Sequence, residues 1–438
     1  MCKIYRPIER IKFNLSTQNS KTWKNAVKIV EAYFTKKVKA NQLLDSLTTG
    51  FSDHDRATCQ ALFLGALRNG HRVNAVLKSF IRRKPSKRIE AILFVTGYEI
   101  LSGPKEKIPK IVHHSVECSK KLVKDTETKL LNALLRKLPD ALDTVHPNNR
   151  PDIFFSHPRW LFKHWNKIFG PPATIKLMAW NQQIPTTYLK FYDVSELLPK
   201  GLQPTQWDNF FKVSTDASWQ QEICPLLNKG NAYIKDPSTR LAPALLAPVS
   251  GERVLDLCAA PGGKTYDLAY RMQLRGHIVT LDLPGDRIDR LRKNLGALTD
   301  QSLHCSILEA DLLELNDRCF SDKELPTRYD AVMLDAPCSN TGVIQRRTDV
   351  KWRLAPEDIP GCAHLQKQLI AAASHYVKPG GRLVYSTCSI DPEENQAVVD
   401  HFLNSEEGKR FVLQESVISL PWETGHDGAG AFLLVANR

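Results

Sequence analysis

A strand-like run that breaks directly into a glycine turn is the feature that most restricts how this chain can fold. Residues 253–257 are mostly apolar, Pro261-Gly262-Gly263 follows them, and Lys264 to Leu274 has a helix-like pattern. Glycines let the backbone approach a ligand closely, and a helix N-terminus offers unpaired N–H groups. The stretch therefore suits a nucleotide-like cofactor at the carboxyl end of a parallel strand. Its spacing is neither the Walker pattern nor G-x-G-x-x-G, and such turns are also common as purely structural features.

From Asp236 onward the chain alternates strand and helix signals. Strands are predicted at 253–257, 277–282, 304–309, 329–335 and 381–388, with helices between them that include Glu357–Tyr376 and Pro392–Leu403. This alternation is typical of a doubly wound α/β sheet. The carboxyl ends of the parallel strands in such a sheet meet at one crevice, where ligands bind.

Three acidic residues stand at predicted strand ends. Asp282 ends the second strand, Asp311 follows the third and Asp335 ends the fourth. A carboxylate at the first position is placed to accept both ribose hydroxyls of a nucleotide, and one after the third strand can reach an adenine amino group. Any one of them would serve equally well as a helix N-cap, a position that aspartate favours. Three acids in phase with the glycine turn favour a cofactor crevice.

Two cysteines are predicted at the same crevice. Cys338 comes just after the fourth strand, and Cys388 comes at the end of the fifth. A cysteine near a strand end is usually inert packing, but two at adjacent strand ends beside a cofactor turn indicate nucleophilic chemistry. On geometry alone either thiol could be the nucleophile.

The net charge of +13 lies entirely in the first third of the chain. Residues 1–150 contain 29 Lys and Arg against 13 Asp and Glu, whereas the rest contains 31 against 34. A basic folded domain indicates a polyanionic partner, most often nucleic acid, because phosphate neutralisation releases counterions. The alternative is a well-solvated helical surface. Apolar spacing predicts an all-α bundle with helices at Lys24–Phe34, Ala57–Leu67, Val73–Ile81, Ile89–Leu101 and Glu127–Leu138.

Composition excludes several other classes of protein. No apolar run reaches membrane-spanning length, and the first residues lack the apolar core of a signal peptide, so we expect a cytoplasmic protein without a membrane partner. The ten cysteines form no C-x-x-C pair, which argues against a zinc site and against a secreted disulfide framework. We therefore expect no bound metal, and we expect a monomer.

A polar stretch at 141–152, rich in proline and asparagine, marks the end of the first predicted domain. The chain is accordingly divided into a helical bundle at 18–145, a small α/β linker domain at 150–232 and a sheet domain at 233–438. The residues of the middle segment do not indicate a function.

Several motifs of this chain resemble known families. DLCAAPGGKT, DAPCS, KW, and YSTCS followed by EEN are similar to motifs of the RNA (cytosine-5)-methyltransferases. GALRNGHRVNAVL, AILFVTGYEIL and NALLRKL resemble the helical bundle of the antitermination factor NusB. Together they resemble the RsmB (Sun/Fmu) branch that acts on 16S ribosomal RNA. The resemblance implies an N-terminal RNA-binding bundle, a C-terminal Rossmann-like class I methyltransferase domain, and RNA of the small ribosomal subunit as partner.

The resemblance also implies roles for individual residues. Cys388 would be the nucleophile and Cys338 would assist product release, with Asp335 and Lys264 close to the cytosine ring. DNA cytosine-5 enzymes use the cysteine that follows the proline of the fourth-strand motif, as Cys338 does here. The implied cofactor is S-adenosylmethionine, held by Cys258, Ala259, Ala260, Pro261, Gly262, Gly263, Lys264, Asp282, Asp311 and Asp335.

Two other functions fit parts of this sequence. A methyltransferase acting on an exocyclic nitrogen or on protein would have an N/D-P-P-Y-like end to the fourth strand, which DAPC contradicts. A non-catalytic RNA-binding or assembly factor fits the basic front domain, but the cysteines and carboxylates of the site are intact.

Overall fold

A computed structural model describes residues 20–36, 38–46, 52–81, 83–193, 198–230, 232–296, 298 and 302–438. The chain forms two compact units. The first runs to Thr186 and also includes Ile344–Arg353, and the second consists of Thr187–Val343 and Leu354–Arg438. Residues 18 and 19 of the predicted first domain lie outside the described residues.

The first unit is helical, as the apolar spacing predicts. Ser52 and Ser86 cap two of its longer helices by accepting a backbone N–H from the first turn. The segments 57–67 and 73–81, predicted as two helices, are largely one continuous helix, and a helix that was not predicted follows at Ile108. The helices are Ser20–Lys36, Ala40–Asp45, Asp53–Leu77, Lys87–Ser102, Ile108–Ser119, Asp125–Asp143, Pro151–Phe154 and Arg159–Gln182.

A short segment from late in the chain completes the core of this helical unit. In the helix Val350–Arg353, Trp352 stacks on His71 with ring centroids 3.7 Å apart and donates its indole N–H to Leu67 O at 2.7 Å. A Cβ atom added at Gly70 would lie 2.7 Å from the Trp352 ring, so glycine makes room for the indole there. Residues that are distant in the sequence therefore complete this core, and local periodicity cannot predict such packing.

The second unit begins with a small antiparallel sheet. Its strands are β1 Tyr188–Phe191, β2 Leu202–Pro204, β3 Phe210–Val213 and β4 Ala232–Ile234, in the order β2-β3-β1-β4. Residues 150–232, predicted as one linker domain, are divided between the two units. The helix Arg159–Gln182 belongs to the helical unit, where Gln182 donates to Arg68 O at 3.2 Å, while the strands belong to the second unit.

A seven-stranded sheet forms the centre of the second unit, and it confirms the predicted α/β fold. Its order is β10-β11-β9-β8-β5-β6-β7. Strands β5 to β9 run parallel, whereas β11 is antiparallel to both of its neighbours, β9 and β10. Neither β10 nor β11 was predicted. The strands are β5 Arg253–Leu257, β6 Gly276–Asp282, β7 Leu303–Glu309, β8 Tyr329–Asp335, β9 Val377–Thr387, β10 Phe411–Ser419 and β11 Ala429–Ala436.

Helices accompany these strands, and buried apolar side chains of the sheet and helices form its cores. Because β5 to β9 are parallel, their carboxyl ends share one edge of the sheet, and the candidate site lies there. The helices of this unit are Cys224–Lys229, Leu241–Leu246, Gly263–Arg271, Asp286–Leu295, Asp317–Ser321, Asp358–Ser374, Gln396–Leu403 and Pro421–Thr424.

Candidate active site

The predicted glycine turn lies between β5 and the helix Gly263–Arg271. Gly262 has a φ of 94°, in the left-handed region, and an added Cβ atom there would lie 2.9 Å from the side chain of Leu291. Glycine is therefore required at 262 by both backbone conformation and packing. A Cβ atom added at Gly263 would lie 3.8 Å from the end of the Lys235 side chain, so there is room for a small group at this side of the turn.

Asp282, at the end of β6, is built into this turn. Its side chain is 3% exposed, and its two oxygens accept the backbone N–H groups of Ala260 at 2.8 Å and Leu283 at 2.9 Å. Arg287 lies 3.4 Å from the same carboxylate. A carboxylate offers about four lone-pair sites, so these contacts leave capacity for a ligand's hydroxyl groups. Asp282 thus shapes the turn in addition to facing the crevice edge.

Asp311 lies two residues beyond β7 and is only partly buried. Its Oδ1 atom accepts the backbone N–H of Leu313 at 2.9 Å. This is a local turn contact of the kind that aspartate often makes, and it occupies only one of the two oxygens. The predicted role at an adenine ring stays a prediction.

The two cysteines lie side by side. Asp335 pairs with Ser386 in the parallel ladder of β8 and β9, so the loops after these strands are neighbours. The Sγ atoms of Cys338 and Cys388 are 3.1 Å apart. The hydrogen bond with Cys388, together with burial, raises the pKa of Cys338 well above its usual range. The structure therefore brings together two thiols that are 50 positions apart in the sequence.

A lysine and a carboxylate stand next to the thiols. Lys264, in the first turn of the helix after the glycine turn, forms an ion pair with Asp335, which also accepts the hydroxyl of Ser386 at 3.1 Å. Burial acts to lower the pKa of Lys264, but the charges of Asp335 and Cys388 outweigh it and raise that pKa. The amine therefore remains a cation within electrostatic range of the Cys388 sulfur.

A third cysteine, Cys258, belongs to the turn itself. It has a φ of 58°, and burial followed by the charge of Asp282 raises its pKa to about 12. A thiol with such a pKa stays protonated at neutral pH, so Cys258 contributes shape rather than a thiolate. Ala259 and Ala260 beside it are buried, and the peptide bond between Ala260 and Pro261 is cis.

Sequence reasoning missed one acid in this region. Asp256, inside β5, is fully buried, and its Oδ2 accepts the hydroxyl of Thr265 at 2.6 Å. Its Oδ1 is buried without a hydrogen-bond partner among the residues that the structure describes. Burial raises the pKa of Asp256 to about 7. An acid inside an otherwise apolar strand was the signal that could have identified it.

The described parts of the chain contain no group of three or more His, Cys, Asp or Glu side chains that could hold a metal ion. Within the same residues, no helix is both long and apolar enough to cross a membrane.

A mostly parallel sheet with an antiparallel β11 next to β9 and a glycine turn after β5 defines the class of the second unit: it is an S-adenosylmethionine-dependent methyltransferase. Residues 243–423 match the family described as 16S rRNA methyltransferase RsmB/F, and residues 20–140 match the NusB family. The chain therefore combines a region similar to the RsmB/F methyltransferases with a region similar to NusB.

Relatives extend this match beyond the separate regions. Ribosomal RNA small subunit methyltransferase B of Proteus mirabilis (strain HI4320) is 28% identical over 427 residues, which cover 94% of this chain and 97% of that protein. The solved structure of PH0851 covers 95% of this chain and 99% of its own, with a TM-score of 0.72 at 21% identity. NSun6 from Pyrococcus horikoshii, solved with the S-adenosylmethionine analogue SFG, covers 64% and 98%, with a TM-score of 0.54 at 17% identity. At these identities the two structures support the fold.

Proposed function

We propose that this protein transfers a methyl group from S-adenosylmethionine to C5 of a cytosine in 16S ribosomal RNA, through a covalent bond between Cys388 and C6. The observation that carries the proposal is the pair of sulfur atoms 3.1 Å apart beside the Lys264–Asp335 ion pair, at the edge of the sheet that holds the cofactor turn. The RNA class follows from the family matched and from the name of the Proteus mirabilis relative.

Cytosine chemistry explains why a thiol is needed. C5 is too weak a nucleophile to take a methyl group directly, so a thiolate first adds to C6 and gives C5 enamine character. S-adenosylmethionine supplies the electrophilic methyl group that C5 then attacks. A base removes the C5 proton, the C5–C6 double bond returns and the bond between sulfur and C6 breaks, which restores the thiolate.

The residues at the turn fit this cofactor. Beside Gly263 an added Cβ atom would meet only the end of the Lys235 side chain, and the unpartnered Oδ1 of Asp256 is a buried acceptor next to the turn. The cofactor would be held by the turn Cys258 to Lys264 together with the acids at the strand ends, Asp282, Asp311 and Asp335. The unpaired N–H groups at the start of the helix Gly263–Arg271 add donors at the same place.

The electrostatics support different roles for the two thiols. Cys388 lies within range of the Lys264 cation, which favours an anionic sulfur, whereas the raised pKa of Cys338 keeps its proton in place. Cys388 therefore attacks C6. Once the sulfur of Cys388 is bonded to carbon it carries no charge, and the largest cause of the raised Cys338 pKa is removed. Cys338 then gives up its proton to solvent more readily, and its thiolate can accept the C5 proton, as product release requires.

Asp335 and Lys264 would orient the base. In a bound cytosine, Asp335 accepts a hydrogen bond from the exocyclic amino group, and the Lys264 cation stabilises the negative charge that develops on the ring during thiolate addition. The basic NusB-family region would contact RNA phosphates.

Nucleoside mass spectrometry tests the proposal directly. Small-subunit ribosomal RNA transcribed in vitro is incubated with the full chain and isotopically methyl-labelled S-adenosylmethionine, then digested and separated by chromatography. We expect the label in 5-methylcytidine. Label in N4-methylcytidine or in another nucleoside would contradict the proposal. The absence of label from both the transcribed RNA and the assembled small subunit, used as a second substrate, would also contradict it.

A further inference from the structure

One buried carboxylate contacts the residue after each of the two cysteines. Ser339 follows Cys338, and Ser389 follows Cys388. Glu394 accepts the backbone N–H of Ser339 at 2.8 Å and the hydroxyl of Ser389 at 2.6 Å, and it also accepts the Ser339 hydroxyl. A single side chain therefore joins the loop after β8 to the loop after β9.

A glutamine from a neighbouring helix completes the coordination of this carboxylate. Gln366, in the helix Asp358–Ser374, donates to Glu394 at 3.0 Å and to Pro337 O at 2.8 Å. Glu394 and Gln366 are both fully buried. Burial raises the pKa of Glu394, while the hydrogen bonds from Ser339 and Ser389 act against that rise. The carboxylate is thus satisfied by four donors that all lie around the cysteine loops.

The same loops make additional contacts with each other. Thr341 is 2.9 Å from the hydroxyl of Ser389 and donates to Asp391 at 2.7 Å. These bonds join the two loops at a second point but bypass Glu394. Thr341 also lies 3.4 Å from the Ser339 hydroxyl, and the two serine hydroxyls are 3.3 Å apart. Within this network Glu394 is the carboxylate that accepts hydrogen bonds from the residues after both cysteines.

We propose that Glu394 is a positioning residue that fixes the distance and orientation of Cys338 relative to Cys388. The inference rests on the proposed function, because it assigns both thiols to one reaction. Each cysteine lies on its own loop, so a small movement of either loop would separate two groups that must act in turn on one cytosine. Buried networks of hydrogen bonds restrict such movement.

The competing explanation is that Glu394 only stabilises the fold. Two variants separate the explanations. Glu394→Ala removes all four contacts, whereas Glu394→Gln retains an oxygen for Ser339 N–H and Gln366, and its amide can donate to the two serine hydroxyls, which also accept. Glu393→Gln is the matched control because Glu393 is the exposed neighbour in the chain.

The first readout needs neither RNA nor cofactor. The full chain is treated with oxidised dithiothreitol, which takes two electrons and two protons from the thiol pair, and formation of the Cys338–Cys388 disulfide is followed by peptide mass spectrometry. If Glu394 sets the separation of the sulfur atoms, Glu394→Ala should slow disulfide formation about tenfold. Glu394→Gln should recover most of the rate, and Glu393→Gln should match the unmodified protein.

The second readout is methylation. We expect Glu394→Ala to lower kcat about a hundredfold, the scale expected for misplacement of reacting groups by about 1 Å, while KM for RNA and the Kd for S-adenosylmethionine stay unchanged. If Glu394→Ala does not fold, Ser389→Ala serves instead. It removes one of the four contacts of the carboxylate, together with the contacts of the Ser389 hydroxyl with Thr341 and with the Asp391 N–H. It should lower both rates by a smaller factor.

The outcomes distinguish the two proposals. If the variants form the disulfide more slowly but the unmodified protein methylates no RNA, the positioning role is supported and the proposed function is rejected. Equal disulfide rates and equal kcat in the unmodified protein, Glu394→Ala and Ser389→Ala would overturn the positioning role and leave the function standing. A loss of kcat that is matched by a loss of cofactor affinity would show a purely structural role and would also overturn it.

Discussion

Two lysines, one in each compact unit, are shielded from water but have different partners. In the sheet unit, Lys264 pairs with Asp335 and interacts with the charge of Cys388. In the helical unit, Lys351 is 2% exposed and donates to two backbone carbonyls, Arg68 O at 2.5 Å and Ser156 O at 2.7 Å. One amine therefore has anionic partners, and the other donates to backbone carbonyl dipoles.

The pKa values of the two amines move in opposite directions. Burial lowers the pKa of any lysine because it removes water from the ammonium group. At Lys264 the anionic partners outweigh burial, whereas at Lys351 burial and the nearby Arg68 charge act together and lower the pKa well below its usual range. Burial alone therefore does not identify a functional lysine. In the proposed mechanism the lysine with anionic partners takes part in the chemistry, whereas the lysine with carbonyl partners packs the helical unit.

The largest expected effect comes from removing the Lys264 cation of the proposed site. Lys264→Met should lower kcat by about a hundredfold to a thousandfold, because Asp335 and Cys388 lose the positive charge that stabilises both. Single-turnover methylation under conditions where the protein remains folded measures this. Lys351→Met, which has the same change of side chain, is the control and should keep kcat within a few-fold. Equal losses of kcat in the two variants would contradict a specific role for the Lys264 charge.

The reverse pattern is expected for stability. Lys351→Met should lower the free energy of unfolding by about 1–3 kcal/mol, because the carbonyl groups of Arg68 and Ser156 lose a buried donor. Urea denaturation followed by tryptophan fluorescence measures the loss, since Trp352 is the next residue and lies in the same core. A variant as stable as the unmodified protein would show that the Lys351 hydrogen bonds contribute nothing measurable.

The smallest expected effect is a difference in pH dependence between the units. Burial lowers the pKa of His71 from 6.5 to about 3, so its contribution to stability is present above 6.5 and is lost as pH falls through that interval. Burial raises the pKa of Asp256 from 3.8 to about 7, so its contribution is present below 3.8 and is lost as pH rises.

Hydrogen exchange followed by peptide mass spectrometry, corrected for intrinsic rates, measures the two units separately. Between about pH 4 and 6.5, protection of the helix Asp53–Leu77 should rise with pH while protection of β5 falls. Asp256→Asn should remove the pH dependence of β5, and His71→Gln should weaken that of the helix. Protection that changes in the same direction in both units would contradict the assigned pKa shifts.

Much of the sheet could be predicted from local pattern. The strands β5 to β8 agree with the predicted ranges to within a residue, because each is a short apolar run bounded by polar turn residues. β10 was missed because most of its side chains are exposed, and β11 because a continuous apolar run such as AFLLV does not distinguish a strand from a buried helix.

Long-range contacts account for the rest. Nothing local reveals that Lys351 and Trp352 pack in the helical unit, because their hydrogen-bond partners lie between 195 and 285 positions earlier in the chain. Glu394 looks like any solvated acid in the polar run DPEEN. That Cys338 and Cys388 lie near each other could be predicted because both follow strands of one sheet, but the 3.1 Å between their sulfur atoms required the structure.

The proposed function depends on the covalent step, and adduct trapping tests that step most directly. Full-length Cys388→Ala and Cys338→Ala are each incubated with S-adenosylmethionine and small-subunit ribosomal RNA and analysed by denaturing electrophoresis. Cys388→Ala should give neither product nor adduct, because nothing adds to C6. Cys338→Ala should accumulate a covalent protein–RNA species, because attack and methyl transfer proceed while release is slow. An adduct formed by Cys388→Ala and absent from Cys338→Ala would reverse the roles, and full turnover by both variants would contradict the covalent mechanism.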